Sequence, residues 1–251
     1  MDNSFGILDQ IIRSVAIVKK DVRIYYSKGP VVLMGVLWPA AMFISFAFGR
    51  GMALETLMPG LIGVSVFFTC SAISPVAFPW ETQARTLERL VSSPVAIWTI
   101  LFGDMLASAI VGIVISLVPI LIAIGFGVTF TSPLALAFAV ITGSICFATM
   151  ALLFSVAPVS GPQYTQMLST LIKFPLLFIS GVFIPLSNLP EAARAVSYVS
   201  PLTYFTDIAR FATGHESYLP VYVDFLAIIV FTVVLWIIAV GLHNRTLPKR
   251  L

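Results

Sequence analysis

Between Asp104 and Lys173 lie 68 consecutive residues without an acidic or basic side chain. A soluble fold of this size has no interior large enough to hide such a run, so the solvent for this stretch is lipid. Composition agrees: of 251 residues 59% are hydrophobic and 10% charged, where a soluble domain carries roughly 25% charged residues. The net charge of +3 comes from basic residues near the two ends. It therefore speaks to membrane orientation and not to nucleic acid, and no nucleic-acid partner is expected. Cys70 and Cys146 each sit in an apolar run, where a thiol behaves as a small hydrophobe, so no disulfide or metal framework is available. Asp2, Asp9, Arg13, Lys19, Lys20, Asp21, Arg23 and Lys28 precede the first long apolar run. That is the wrong shape for a cleaved signal peptide, and the first apolar segment is expected to be kept.

A helix needs about 20 mostly apolar residues to cross a bilayer. The charge map gives six candidate spans, near residues 30–49, 57–79, 98–120, 133–156, 163–184 and 220–242, with Gly125 to Pro133 and Pro158 to Pro162 as breaks. An even number puts both ends on one side, and Lys and Arg decide which. One side holds Arg13, Lys19, Lys20, Arg23, Lys28, Arg85, Arg89, Arg245, Lys249 and Arg250; the other holds Arg50, Arg194 and Arg210. Both termini are expected in the cytoplasm.

Three segments depart from a plain span. Residues 7–26 place Leu8, Ile11, Ile12, Val15, Val22 and Tyr26 on one helical face, which predicts a helix in the cytoplasmic interface, with Lys19 snorkelling from that face. After Pro79, Glu81, Arg85 and Glu88 fall on neighbouring turns beside a stripe of Ala84, Leu87, Leu90 and Val91. This predicts a short amphipathic cytoplasmic helix ending near Ser93-Pro94. Residues 187–216 hold two short helical patterns, each with an acid and a base three apart (Glu191 and Arg194, Asp207 and Arg210), split at Ser200-Pro201. Their apolar content predicts a re-entrant or interfacial helix pair on the outer side.

Catalysis within the chain is tested by absence. No lysine follows a glycine, so there is no phosphate-cradling P-loop. His215 and His243 are far apart, and the aspartates are isolated, which leaves neither a zinc-protease site nor a magnesium-binding carboxylate cluster. No catalytic, cofactor or metal site is expected. What remains is movement across the membrane powered elsewhere, or a channel. A secondary transporter would show internal repeats and several intramembrane ionisable groups, and Lys173, ten residues into the fifth span, is the one deep charge. Its stem of roughly 6 Å cannot reach an interface about 15 Å away. It needs a partner or water, either as a polar spot on a translocation path favouring an anionic or polar head group, or as part of a structural pair.

Two stretches resemble a known family. Trp80 to Val95, WETQARTLERLVSSPV, followed by WTILFGDML, is similar to the segment after the second span in permease subunits of type-two ATP-binding-cassette (ABC) exporters, the class of drug-resistance and nodulation-factor permeases. Phe174 to Arg210 resembles the same family more specifically, at Ser180, Gly181, Pro185, Leu189, Pro190 and Pro201 to Tyr204. One departure is Arg85, which stands before Thr86-Leu87-Glu88 where the family often has glycine. The resemblance covers essentially the whole chain. It implies an all-α integral membrane protein, residues 1–251 forming a single transmembrane domain with six transmembrane helices. It further implies two permease subunits, as homodimer or heterodimer, working with two separate ATPase subunits that bind ATP and Mg. Residues 81–93 would be the coupling helix, with Leu87, Leu90 and Val91 as apolar anchors in the ATPase and Glu81, Arg85, Glu88 and Arg89 fixing register.

Overall fold

In lipid a backbone finds no outside hydrogen-bond partner, so apolar runs close their bonds internally as helices; among the described residues every regular element is helical. The computed structural model describes residues 6–26, 33–50, 54–93, 95–156 and 161–246. Lys28, Pro94, Pro158, Lys249, Arg250 and the first residues of the expected opening span lie outside them. Helix α1 (Ile7–Asp21) runs on into a π turn, Val22–Tyr26, and a second π turn, Leu33–Leu37, leads into α2 (Trp38–Arg50). Then follow α3 (Leu54–Cys70), α4 (Ser74–Gln83), α5 (Thr86–Ser92) and α6 (Ile97–Gly125). The last five are α7 (Pro133–Phe154), α8 (Pro162–Ile179), α9 (Glu191–Ser197), α10 (Pro201–Ala212) and α11 (Val221–Thr246). Prolines open α7, α8 and α10, where a ring that fixes φ and lacks an N–H gives up no helical bond.

Among the described residues four stretches are long and apolar enough to cross a membrane: Thr56–Gln83, running through α3 and α4, then Ile97–Gly125, Pro133–Phe154 and Val221–Thr246. The shortest, α7 with 22 residues, spans about 33 Å at 1.5 Å per residue, enough for a hydrocarbon core of about 30 Å. Two expected spans fall short of that measure. The apolar helix near the start covers only Gly35–Ser45, and the 18 residues of α8 include Gln163, Gln166 and Lys173.

The core sits around α3, which packs on α6, α7 and α10. Phe67, Phe147 and Phe205, all fully buried, meet in a chain with ring centroids 5.2 and 5.7 Å apart. Gly143 admits the Phe205 ring where any Cβ would collide with it. Gly103 plays the same part for α1: an added Cβ would stand 2.7 Å from Ile17. Gly181 is different, since its φ of 71° lies in the left-handed region and serves the turn after α8. Outward, α6 exposes Val114, Leu117 and Leu121, and α11 exposes Leu226, Val233 and Ile237. Such faces would be aggregation sites in water and are what a lipid contact requires.

The stretch Thr56–Gln83 is broken between Cys70 and Ser74. Pro75 has no N–H, so the Ser71 carbonyl loses the donor four residues on that a helix would supply. Side chains from two other helices close the gap. Ser108 Oγ of α6 donates to the Cys70 carbonyl, and Lys173 Nζ of α8 donates to the Ser71 carbonyl at 2.9 Å.

Candidate functional site

The C-terminal ends of α1 and α4 and the first turns of α6 meet in a buried charged junction. Lys20 is ion-paired with Glu81, on the last turn of α4, and lies 3.1 Å from Asp21. Asp21 and Glu81 are 2% and 4% exposed, so one cation serves two carboxylates out of contact with water. Asp104 of α6 stands within electrostatic reach of both and is hydrogen-bonded to Ser74. Burial pushes the Asp21 carboxyl up to about 6 against the pull of Lys20. Burial alone would lower the Lys20 ammonium, but Glu81 and then Asp21 hold it above its ordinary value. Beside this network Tyr25 stacks on Trp80 with centroids 5.6 Å apart. Gln10 Oε1 accepts from Thr99 Oγ1 at 2.7 Å and from the Ala96 N–H at 3.3 Å, capping the start of α6.

The amphipathic pattern of α1 is real, but its faces work in the opposite sense to a soluble helix. Gln10, Ser14, Ile17 and Asp21 form the edge buried against the protein, while Leu8, Ile12 and Val15 are 61–73% exposed and Lys19 stands on the same outward stripe. The apolar side is free for lipid.

The segment expected as one helix over 81–93 is two pieces. Glu81 belongs to α4, and the chain turns at Arg85, the one non-glycine residue of positive φ (54°) among those described, before α5 begins at Thr86. This conformation is left-handed and favours glycine, which accounts for the glycine the resembled family often carries there. The roles within α5 also change. Leu87 is 1% exposed and belongs to the chain's own core, and Leu90 and Val91 pack half-buried against that core. The side chains presented outward are Arg85, Glu88 and Arg89. Apolar anchoring of a partner by Leu87 is therefore corrected: that side chain holds α5 to α4 and its neighbours.

In residues 187–216 the two acid–base pairs do not form; Arg194, Asp207 and Arg210 bond backbone groups instead. Arg194 donates to the carbonyls of Leu186 (3.1 Å) and Leu189 (2.8 Å) and to Tyr218 Oη. Asp207 accepts from the N–H groups of Tyr218 and Leu219 at 2.9 and 2.8 Å, and Arg210 donates to the Gly181 carbonyl at 2.8 Å. Spacing of three along a helix allows an ion pair but does not outbid buried carbonyls and amides that have no other partner. Pro185 and Pro190 precede a 3-10 turn and α9, Pro201 opens α10, and Tyr204 Oη donates to the Tyr198 carbonyl. Every residue of α10 except Phe211 is buried.

Between α4 and α8 a cavity of about 390 Å³ opens, walled by Ala72, Val76 and Trp80 on one side and Gln163 and Gln166 on the other, with no charged lining side chain. Lys173 is 2% exposed. Its ammonium lies 5.7 Å from the centre of the Phe68 ring and bonds the carbonyl of Ser71, the residue before Ala72 of the cavity wall. One of its three donors is thus taken by a carbonyl next to the cavity wall. The roles of Lys20 and Gln10, and of Gln166 and Ser169 beside Lys173 on α8, were not foreseen from sequence. Pro75 inside an apolar run was the available signal, because it announces an orphan carbonyl that some donor must satisfy.

Residues 14–213 match the family described as ABC-2 type transporter. Among curated proteins the chain is 31% identical over 198 residues to ABC transporter G family member 20 of Dictyostelium discoideum, covering 76% of this chain and 27% of that protein. It is 27% identical to Nodulation protein J of Sinorhizobium fredii (76% of this chain, 73% of that one). It is 24% identical to the inner membrane transport permease YadH of Escherichia coli strain K12 (76% and 75%). The chain thus spans about a quarter of the Dictyostelium protein and most of the two bacterial ones.

Proposed function

Because the chain belongs to the ABC-2 type transporter family, we propose that it is the permease subunit of an ABC exporter in a cell membrane, inner or plasma, with ATP and Mg bound by a separate ATPase subunit. Two permeases, identical or different, form the translocation path between them and engage two ATPase copies. In this reading α2 and α8 complete six spans with the four longer helices, both termini are cytoplasmic, and α9 with α10 forms the outer re-entrant pair. The observation that carries the reading is the family match over 14–213, joined to a short helix whose outward side chains are Arg85, Glu88 and Arg89. Those charges set register and association with the ATPase. Motion of α5 passes into α4 because Leu87 is buried in the core they share. The α4 break, Ser71 to Ile73, borders the cavity facing α8, so a swing of α4 changes its opening. Lys173, bonded to the Ser71 carbonyl beside that cavity's wall, belongs to the path. A secondary transporter or channel would work without an ATPase, and co-purification separates the two.

Reversing Arg85, Glu88 and Arg89 together (R85E, E88K, R89E) is expected to reduce ATPase co-purification by about tenfold or more, since several rim charges are turned against their partners. Membrane abundance should hold. The isolated chain in lipid should show no ATP turnover. Undiminished association of the triple variant would overturn the assignment of α5. Orientation has its own check: with Cys70 and Cys146 replaced, a cysteine at position 194 should react with an impermeant thiol reagent on intact cells and one at position 89 should not. The opposite labelling pattern means an inverted chain.

A further inference from the structure

Three turns of α8 carry polar atoms buried without adequate partners, and all lie within about 60° of one another on the helix, at 100° per residue. Gln166 Oε1 and Ser169 Oγ have no hydrogen-bond partner among the described residues. Ser169 is 0% exposed. Lys173, four residues on, has three donors but makes one hydrogen bond, to the Ser71 carbonyl, and has no carboxylate within 4 Å among the described residues. In folded proteins buried polar groups are mostly satisfied, so a row of them on one helix face asks what fills it. The first of the three lines the cavity, and the partner of the last adjoins the opposite wall.

Resting on the reading of this cavity as part of the path, we propose that the α8 face Gln166–Ser169–Lys173 is the recognition site for the head group of the transported molecule, an amphiphile with an anionic, acceptor-rich head such as a phosphate monoester. An ammonium without a counter-ion and the Ser169 hydroxyl offer donors to several oxygens of one group, charge-assisted bonds being the strong ones, while Gln166 Oε1 accepts from a protonated oxygen such as the P–OH of a phosphate monoester. The lining contributed by Ala72, Val76 and Trp80 is apolar and aromatic and receives the chain. A cationic head would meet Lys173 with like charge, and an uncharged head would leave the ammonium without a counter-ion. As the head binds, Lys173 exchanges the Ser71 carbonyl for it. That carbonyl lies at the broken turn within Thr56–Gln83, so occupancy of the site is tied to the shape of that turn.

Binding can be read on the full chain alone, in phosphatidylcholine nanodiscs, so the outcome does not depend on whether an ATPase partner exists. With Trp38, Trp98 and Trp236 replaced by Phe, Trp80 reports quenching by 12-bromododecyl phosphate. The phosphate is expected to half-saturate at a concentration at least about tenfold lower than 12-bromododecyl maltoside or 12-bromododecyl trimethylammonium, as one charge-assisted bond allows. Inorganic phosphate at millimolar concentration should not compete, because it lacks the chain. Lys173→Met should erase the preference to within about twofold and Lys173→Arg should keep it. If Lys173→Met does not fold, Ser169→Ala and Gln166→Leu carry the test, each weakening phosphate binding by about threefold to tenfold. Equal binding of the three head groups, unchanged preference in Lys173→Met, or unchanged affinity in both Ser169→Ala and Gln166→Leu would overturn the head-group assignment. Competition by inorganic phosphate would overturn the amphiphile.

Discussion

Leu87→Asp is expected to remove most of the folded permease from the membrane. Leu87 is 1% exposed among the core residues. A carboxylate there loses the packing of a buried leucine and enters an apolar site without a partner, together several kcal/mol, which is comparable to the whole stability of a typical domain. Leu87→Ala should cost about 2–5 kcal/mol through the cavity it leaves, and Arg89→Glu, on the outward face, should leave abundance unchanged. Membrane abundance and the temperature of aggregation in detergent measure all three. Wild-type abundance of Leu87→Asp would mean that the side chain faces outward after all.

The second large effect is expected at Lys20. Replacing it with Met leaves Asp21 and Glu81 buried without a cation, and breaking a buried pair from one side costs about 3–5 kcal/mol. The loss should appear as faster hydrogen exchange in residues 8–21 and 82–92, while Lys20→Arg keeps the network. The effect has a pH signature whose sign is fixed by Asp21. Burial raises its pKa in the folded state from the ordinary 3.8 of an aspartate to about 6. The stability this group contributes is therefore full below about 4 and lost as pH rises through about 6. Above that point Asp21 is ionised and depends on Lys20. The Lys20→Met defect should thus be smaller at pH 5 than at pH 8, and adding Asp21→Asn should relieve part of it at pH 8. An equal defect at both pH values would place the strain elsewhere.

Where elements begin and end was largely legible from sequence, because prolines, charges and apolar length act locally. The expected spans at 98–120 and 220–242 became Ile97–Gly125 and Val221–Thr246, each running on past the charge-free length. What stayed hidden was which face of an element meets which neighbour. In water an apolar stripe points inward, but beside lipid it is as well placed outside. The same pattern in α1 therefore left open that Gln10 and Ser14 would dock against protein and Leu8 face away. In α5 the stripe was read correctly but assigned to a partner, because nothing in seven residues distinguishes an anchor in another chain from one in the same chain. The polar face of α8 was half visible: Lys173 stood out by charge, whereas Ser169 and Gln166 matter only through an absence of partners that no spacing reveals.

The docking of α1 also sets an order of events during synthesis. Gln10 on its polar edge is satisfied by Ala96 and Thr99, residues made 86 and 89 positions after it. At about 5–20 residues per second, roughly 4–18 s pass between the emergence of the helix and that of its berth. During that interval the exposed Leu8, Ile12 and Val15 can hold the segment at the bilayer surface, where its polar edge still meets water. The helix thus waits at the membrane for the rest of the chain to arrive.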